Sequence, residues 1–261
     1  MVQLIKNCHE YRELLYALSE SYIKARYKQT ILGVGWAIVP SVLLMLTVIF
    51  AFPHIANIAP DMKPYPLFVF IGFWFWTFFA NSLAFAIPSL VQNVSLLRKV
   101  HFPREILVIA AIVPSILDSA LGTLPLFALL LYFKIPLSFS FFLLLILFII
   151  ELILILGLSF VGAITNVAFR DVAKFLPITL QILFFATPVI YSINTISTGT
   201  YANIYKLNPL AGILDAARSI VLNQTIIHPH ALIYASCMSI ATCWIGYLTF
   251  KAGEKIITDI R

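Results

Sequence analysis

Charge is what this sequence has least of. Only 11% of its 261 residues are Asp, Glu, Lys or Arg, while 61% are hydrophobic. A soluble domain carries roughly 25% charged and 45–50% apolar residues. Too little polar surface remains here to coat a water-borne globule of this length. Lipid tails as solvent remove that conflict, because they let the exterior be apolar too. Cysteine is also scarce. Cys8, Cys237 and Cys243 match neither a metal spacing nor a disulfide framework, and the last two, six apart, do not share a helix face. There is no Gly-x-x-x-x-Gly-Lys-Ser/Thr phosphate loop, no serine elbow and no His-Glu-x-x-His. The chain is therefore expected to be no enzyme and to carry no cofactor. If it does work driven by ATP, another chain must bind the ATP. Residues 1–30 are charged throughout and lack the short apolar core and small-residue cleavage site of a signal peptide, so the first membrane helix is expected to direct insertion.

What the sequence has is long apolar runs. A spanning helix needs about 20 mostly apolar residues. Six stretches qualify: 34–52, 67–88, 106–133, 137–165, 175–193 and 231–250. Only Lys134-Ile135-Pro136 separates the third from the fourth, which predicts a tight antiparallel hairpin. The formal charge of +6 sits in the short links between runs, the pattern of topology signals and not of a nucleic-acid face. With the N-terminus inside, thirteen Lys and Arg fall on inner segments and four (Lys63, Lys134, Lys206 and Arg218) on outer links. That bias places both termini in the cytoplasm. The expected class is an all-α, polytopic membrane protein of one domain. Residues 1–33 form a cytoplasmic interfacial segment, 34–250 a six-helix membrane region and 251–261 a cytoplasmic tail.

Two further helices are predicted outside the spans. Tyr11, Leu14, Leu15, Leu18, Tyr22 and Ala25 share one face of residues 9–28, with Glu13, Glu20, Lys24 and Lys28 largely opposite. Such a helix lies along a membrane surface, or packs on a soluble partner. Gly33 and Gly35 supply a bend before Trp36. In the link between the last two spans, Asn208-Pro209 is a strong helix start, and Leu210, Ile213, Leu214, Ala217, Ile220 and Val221 form an apolar face. This reads as a re-entrant or surface helix on the outer side, in which Asp215 and Arg218 are spaced to pair.

Chemistry-bearing residues are few. Asp118 and Glu151 fall inside predicted spans, where ionisable groups are functional candidates. A proton-coupled transporter would use them; hydrogen bonding within the bundle is the plainer role, and no basic residue or His accompanies them in the spans. His228 and His230 flank a proline without a nearby Cys or carboxylate to complete a metal site. A membrane enzyme acting on lipid-linked sugars would need acids and histidines gathered at one face, and the outer Asp61, Asp215, His54, His228 and His230 suggest no such cluster. The second span is dense in aromatics, including Trp74, Phe75 and Phe78, and the fifth adds Phe184, Phe185 and Tyr191. These are candidates to line a duct for sugar rings; packing between helices or against lipid is the alternative. Asn81, Ser82, Gln181 and Thr187 offer uncharged contacts between helices. Pro88, Pro114, Pro125, Pro177 and Pro188 are expected to kink or end helices.

The second inner link reads Ser95-Leu96-Leu97-Arg98-Lys99-Val100-His101-Phe102-Pro103-Arg104-Glu105. Short, basic, amphipathic and ended by proline, it suits a small helix parallel to the membrane. It resembles the coupling region of permease subunits in type-two ATP-binding-cassette exporters, closest to the branch that exports O-antigen and teichoic acid glycans. Ala25-Arg26-Tyr27-Lys28-Gln29-Thr30-Ile31-Leu32-Gly33-Val34-Gly35-Trp36 resembles that family's lead-in to the first span. Phe169-Arg170-Asp171-Val172, Thr187-Pro188-Val189-Ile190-Tyr191 and Asn208-Pro209-Leu210 resemble later segments in the same order. The resemblance implies that two copies pair into a channel in a bacterial inner membrane. It implies two ATP-binding subunits, holding ATP and Mg, docked beneath Leu96–Arg104. The implied cargo is a glycan on undecaprenyl diphosphate, with other lipids or antibiotics as alternatives. Arg98, Lys99, Arg26 and Lys28 are the expected attractors of the lipid diphosphate, with Arg26 and Lys28 at a gate.

Overall fold

The computed structural model describes residues 2–55, 64–136, 141–191, 207–223, 225 and 228–258. Every regular element among them is helical: α1 (Val2–Glu10), α2 (Arg12–Tyr27), a 3-10 turn (Gly33–Ala37), α3 (Val39–Ile55), α4 (Tyr65–Ala86), α5 (Ser89–Gln92), α6 (Val94–Lys99), α7 (Glu105–Tyr132), α8 (Phe142–Ala168), α9 (Asp171–Ala186), α10 (Pro209–Asn223) and α11 (Pro229–Thr258). Four helices among the described residues are long and apolar enough to cross a membrane: α4, α7, α8 and α11 as far as Glu254. The first and fifth expected spans correspond to shorter helices, α3 of 17 residues and α9 of 16. At 1.5 Å per residue each reaches roughly 25 Å, short of a full hydrocarbon core. The predicted start of the fourth span at Leu137, the end of the fifth at Ile193, the outer Lys63 and Lys206, and the tail beyond Thr258 lie outside the described residues. Up to Thr258 the expected tail continues α11.

Proline acts as punctuation at two of the five positions named above. α4 stops at Ala86, just before Pro88, and α9 at Ala186, just before Pro188. Pro114, Pro125 and Pro177 instead lie inside α7 and α9. Within a bundle the freed carbonyl finds other partners, so the helix continues. α7 ends in a Schellman arrangement. Ile135 N–H donates to Leu130 O at 3.0 Å, Lys134 N–H donates to Leu131 O at 3.2 Å, and Lys134 takes the positive φ of 55°. Gly33 supplies the expected bend, with φ of 51°.

α4 is the hub. It is apolar for most of its surface, and it is buried for most of its length against α3, α7, α8, α9 and α10. α8 packs mainly on α11 and only slightly on α7, although a short link joins α7 to α8. The α8–α11 crossing is set by glycine. A Cβ on Gly246 would lie 2.3 Å from the Gly157 carbonyl oxygen, and one on Gly157 would lie 2.6 Å from the Cys243 nitrogen. Only small residues let two backbones approach so closely.

α2 packs lengthwise on α7. At the base, Asn7 Nδ2 of α1 donates to Glu105 Oε1 at 2.8 Å. At the far end, Arg26 reaches Asp118, thirteen residues or roughly 20 Å along α7. Leu14, Leu15, Leu18 and Tyr22 are turned inward as expected, with Ser19 fully enclosed. Ala25, expected on that face, is exposed, and Arg26 takes its place. α10 is buried for most of its length between α4, α8 and α11.

Candidate functional site

Two helical faces meet beneath the end of α2. On α7, Ser115, Asp118, Ser119 and Gly122 recur at i, i+3, i+4 and i+7, and on α4 Trp74, Thr77, Phe78 and Asn81 do the same. Because Gly122 has no side chain, the Trp74 indole can lie against it and donate from Nε1 to Ser119 O at 2.9 Å. Between the faces is a cavity of about 40 Å³, closed by Arg26, Trp36, Ala37, Pro40 and Ser41. Arg26 Nη2 stands 2.8 Å from Asp118 Oδ2, and the Tyr27 hydroxyl donates to Asp118 Oδ1. The guanidinium also lies 4.7 Å over the Phe85 ring. Burial pushes it below the ordinary arginine range, an effect that Asp118 partly offsets. Asp118 is therefore not without a basic companion. Its partner comes from a helix outside the spans, which the spacing rules for a single helix do not reach. Lys28 caps α2 and is exposed.

One turn before Arg26, the Tyr22 hydroxyl accepts from Asn93 Nδ2 at 2.8 Å, and Asn93 precedes α6. α6 begins the basic link. Leu96, Leu97 and Phe102 pack toward the bundle, while Arg98, Lys99, Val100 and His101 are exposed. The far end of the link is clamped. Past Pro103, Arg104 Nη1 donates to Glu254 O at 2.5 Å, and the fully buried Glu105 lies 3.0 Å from Lys251 Nζ. Lys251 also bridges to Glu254 at 3.2 Å. Both Glu254 and Lys251 belong to α11, so the link is tied to the last helix and, through Asn7, to the first.

A third cluster centres on α10. Arg218 of α10, counted on an outer link and spaced to pair with Asp215, is 5% exposed and donates to backbone carbonyls. Nη1 donates to Pro188 O at 2.7 Å, Nη2 to Val189 O at 2.5 Å and Nε to Phe68 O at 3.3 Å, with the Phe68 ring 3.7 Å below. Asp215 pairs with His228 Nδ1 at 2.8 Å, so that histidine does have a carboxylate neighbour. His230 is exposed, and among the described residues no group of three or more His, Cys, Asp or Glu is placed to hold a metal. Asn208 caps α10 through Leu210 N–H at 3.0 Å and donates to Thr187 Oγ1 at 2.9 Å. The Thr187–Tyr191 and Asn208–Leu210 motifs thus touch.

Of the aromatic candidates, Trp74 and Phe78 line the small cavity. Phe75 is buried and stacks on Phe148 at 4.5 Å. Phe184 stacks on Phe73 at 5.8 Å, and Phe185 is exposed. The Tyr191 hydroxyl donates to Phe185 O at 2.8 Å. Glu151 is fully buried on α8 with no hydrogen-bond partner among the described residues. Asn81 lines the cavity, Ser82 is buried and Gln181 is exposed. The arrangement holds charged groups at helix junctions.

The family model described as ABC-2 type transporter matches residues 13–222. The chain is 27% identical over 258 residues to the O-antigen export system permease protein RfbA of Myxococcus xanthus, covering 98% of each. It is 25% identical over 225 residues to a protein of the same description from Klebsiella pneumoniae, covering 82% of each, and 26% identical over 213 residues to another, covering 81% of each.

Proposed function

The chain belongs to the ABC-2 type transporter family, and from that premise we propose that it is the membrane subunit of an ATP-driven exporter for an O-antigen-like glycan carried on undecaprenyl diphosphate. The observation that carries the reading is the likeness to an O-antigen export permease along 98% of both chains. Two copies pair in the bacterial inner membrane. Two ATP-binding subunits, holding ATP and Mg, dock on the cytoplasmic side. Six crossings with both termini inside follow from the charge bias, with α3 lengthened by its preceding turn and α9 by Thr187–Tyr191. α10, buried yet only 15 residues long, acts as a re-entrant element on the outer side.

Leu96–Arg104 is the docking link. Its exposed basic side chains meet the partner, and the Glu105–Lys251 clamp carries the partner's movement to α11 and α1. Arg26 and Lys28 draw the lipid diphosphate toward the end of α2. Deleting the gene, then assaying surface glycan and cytoplasmic lipid-linked glycan separately, tests the function. Loss outside with accumulation inside is expected; an unchanged coat with no build-up refutes the glycan cargo. Unchanged export after charge reversal at Arg26 and Lys28 would refute their role.

A further inference from the structure

We propose that the Asp118 carboxylate holds the seat of the lipid's diphosphate on Arg26, and that cargo binds by exchanging with it. This rests on the lipid-diphosphate reading above and adds how that group is seated and what it releases. Three groups around the cavity are buried without a hydrogen-bond partner among the described residues: Arg26 Nη1, Ser115 Oγ and Ser119 Oγ. Ser115 is 0% exposed and Ser119 7%, and both line the cavity that Arg26 and Asp118 line. Buried hydroxyls and guanidinium hydrogens are ordinarily satisfied. Here the residues that carry two such hydroxyls and half a guanidinium line one cavity, with Asn81, Thr77 and Ser41 beside them. That is a donor set for an anion with several oxygens.

Space and charge decide that the anion replaces the carboxylate and does not join it. A cavity of about 40 Å³ has room for water and not for a diphosphate beside Asp118. Two anions on one guanidinium would also repel in a site this largely buried. When Asp118 swings away it loses both Arg26 and Tyr27, the two groups that fasten the end of α2 to α7. The base of the segment stays tied through Asn7 and Glu105. Exchange therefore frees the last turn of α2, beyond the Tyr22–Asn93 bond, while α1 stays anchored, opening a path to the cavity from the side.

The test is equilibrium binding of farnesyl diphosphate, inorganic diphosphate and farnesol to the full chain with its ATP-binding subunits in nanodiscs of neutral lipid. Asp118→Asn is expected to bind farnesyl diphosphate about tenfold more tightly, since the competing charge is gone, with farnesol unaffected. Arg26→Gln is expected to abolish that binding. Ser115→Ala with Ser119→Ala is expected to weaken it about tenfold with no change in unfolding midpoint, because neither hydroxyl is bonded at rest. This pair keeps the test decisive should Asp118→Asn fold poorly. Unchanged or weaker binding in Asp118→Asn, with Arg26→Gln still inactive, would overturn the exchange and leave diphosphate recognition standing. Unaltered affinity in the double serine variant would likewise remove the seat. Undiminished binding in Arg26→Gln would overturn the diphosphate reading itself. Inorganic diphosphate binding as tightly as farnesyl diphosphate would make this a soluble-anion site and overturn the lipid assignment.

Discussion

Replacing Arg218 with methionine is expected to unfasten α10 from α4 and from the segment after α9. The guanidinium reaches Pro188 O at 2.7 Å and Val189 O at 2.5 Å from α10, while Nε holds Phe68 O of α4 at 3.3 Å. Methionine keeps much of the volume and offers no donor. A buried carbonyl left without a partner costs about 1–3 kcal/mol, so stranding those of Pro188 and Val189 costs about 2–6 kcal/mol. Removing a cation from a buried site recovers part of that, leaving a net loss of about 3 kcal/mol. For a chain of this size that corresponds to a drop of about 6–12 °C in unfolding midpoint. Arg218→Lys, with a compact head that reaches fewer carbonyls, should fall between. Gly72 offers an internal control. A Cβ there would lie 2.2 Å from Val189 O and 2.5 Å from Arg218 Nη2, so Gly72→Ala perturbs the same cage. Combined with Arg218→Met, its effect should be less than additive. Thermal unfolding of the full chain in nanodiscs, with hydrogen exchange followed at residues 187–191, gives both readings. An unchanged midpoint and unchanged exchange in Arg218→Met would refute the argument; strict additivity with Gly72→Ala would show that the two residues do not share a cage.

Three further outcomes are expected. Lys251→Met strands the fully buried Glu105; Asn7 still donates to it, so the loss should be about 2–3 kcal/mol, below the usual cost of breaking a buried pair. Adding Glu105→Gln should recover most of the unfolding midpoint. Gly157→Val drives methyl groups into the backbone of Thr242 and Cys243 and should cost about 1–3 kcal/mol or prevent α8 from seating on α11, read as lost thermal stability or lost monodisperse protein. Lys99→Glu changes an exposed group and should alter stability by no more than about 0.5 kcal/mol. Co-purification of the ATP-binding subunit should nevertheless fall sharply, and full retention would remove this link as the docking point.

The inward turn of Leu96 and Leu97 beside outward Arg98 and Lys99 was legible, because an amphipathic period is a local property. So was the start of α10 at Pro209, since a cap depends on adjacent residues alone. The Asp215–Arg218 pairing was not, although its spacing was correct. Spacing shows which groups can meet, whereas a histidine thirteen residues away and a ring of carbonyls offered better partners. Arg26 and Asp118, 92 positions apart, carry no mutual signal in a single sequence. The unpartnered Ser115 and Ser119 hydroxyls looked like ordinary small residues on a packed helix face.

By itself, then, the sequence determined the solvent this protein requires, its helical class, where most helices begin and stop, and the amphipathic character of α2 and the inner link. These follow from hydrophobic period, proline and charge, which act over a few residues. Only the tertiary structure decided which charges are neutralised, which aromatics are enclosed and where a cavity forms. A buried ion's partner and a helix crossing at glycine depend on contacts between elements distant along the chain, and those exist only once the helices have packed.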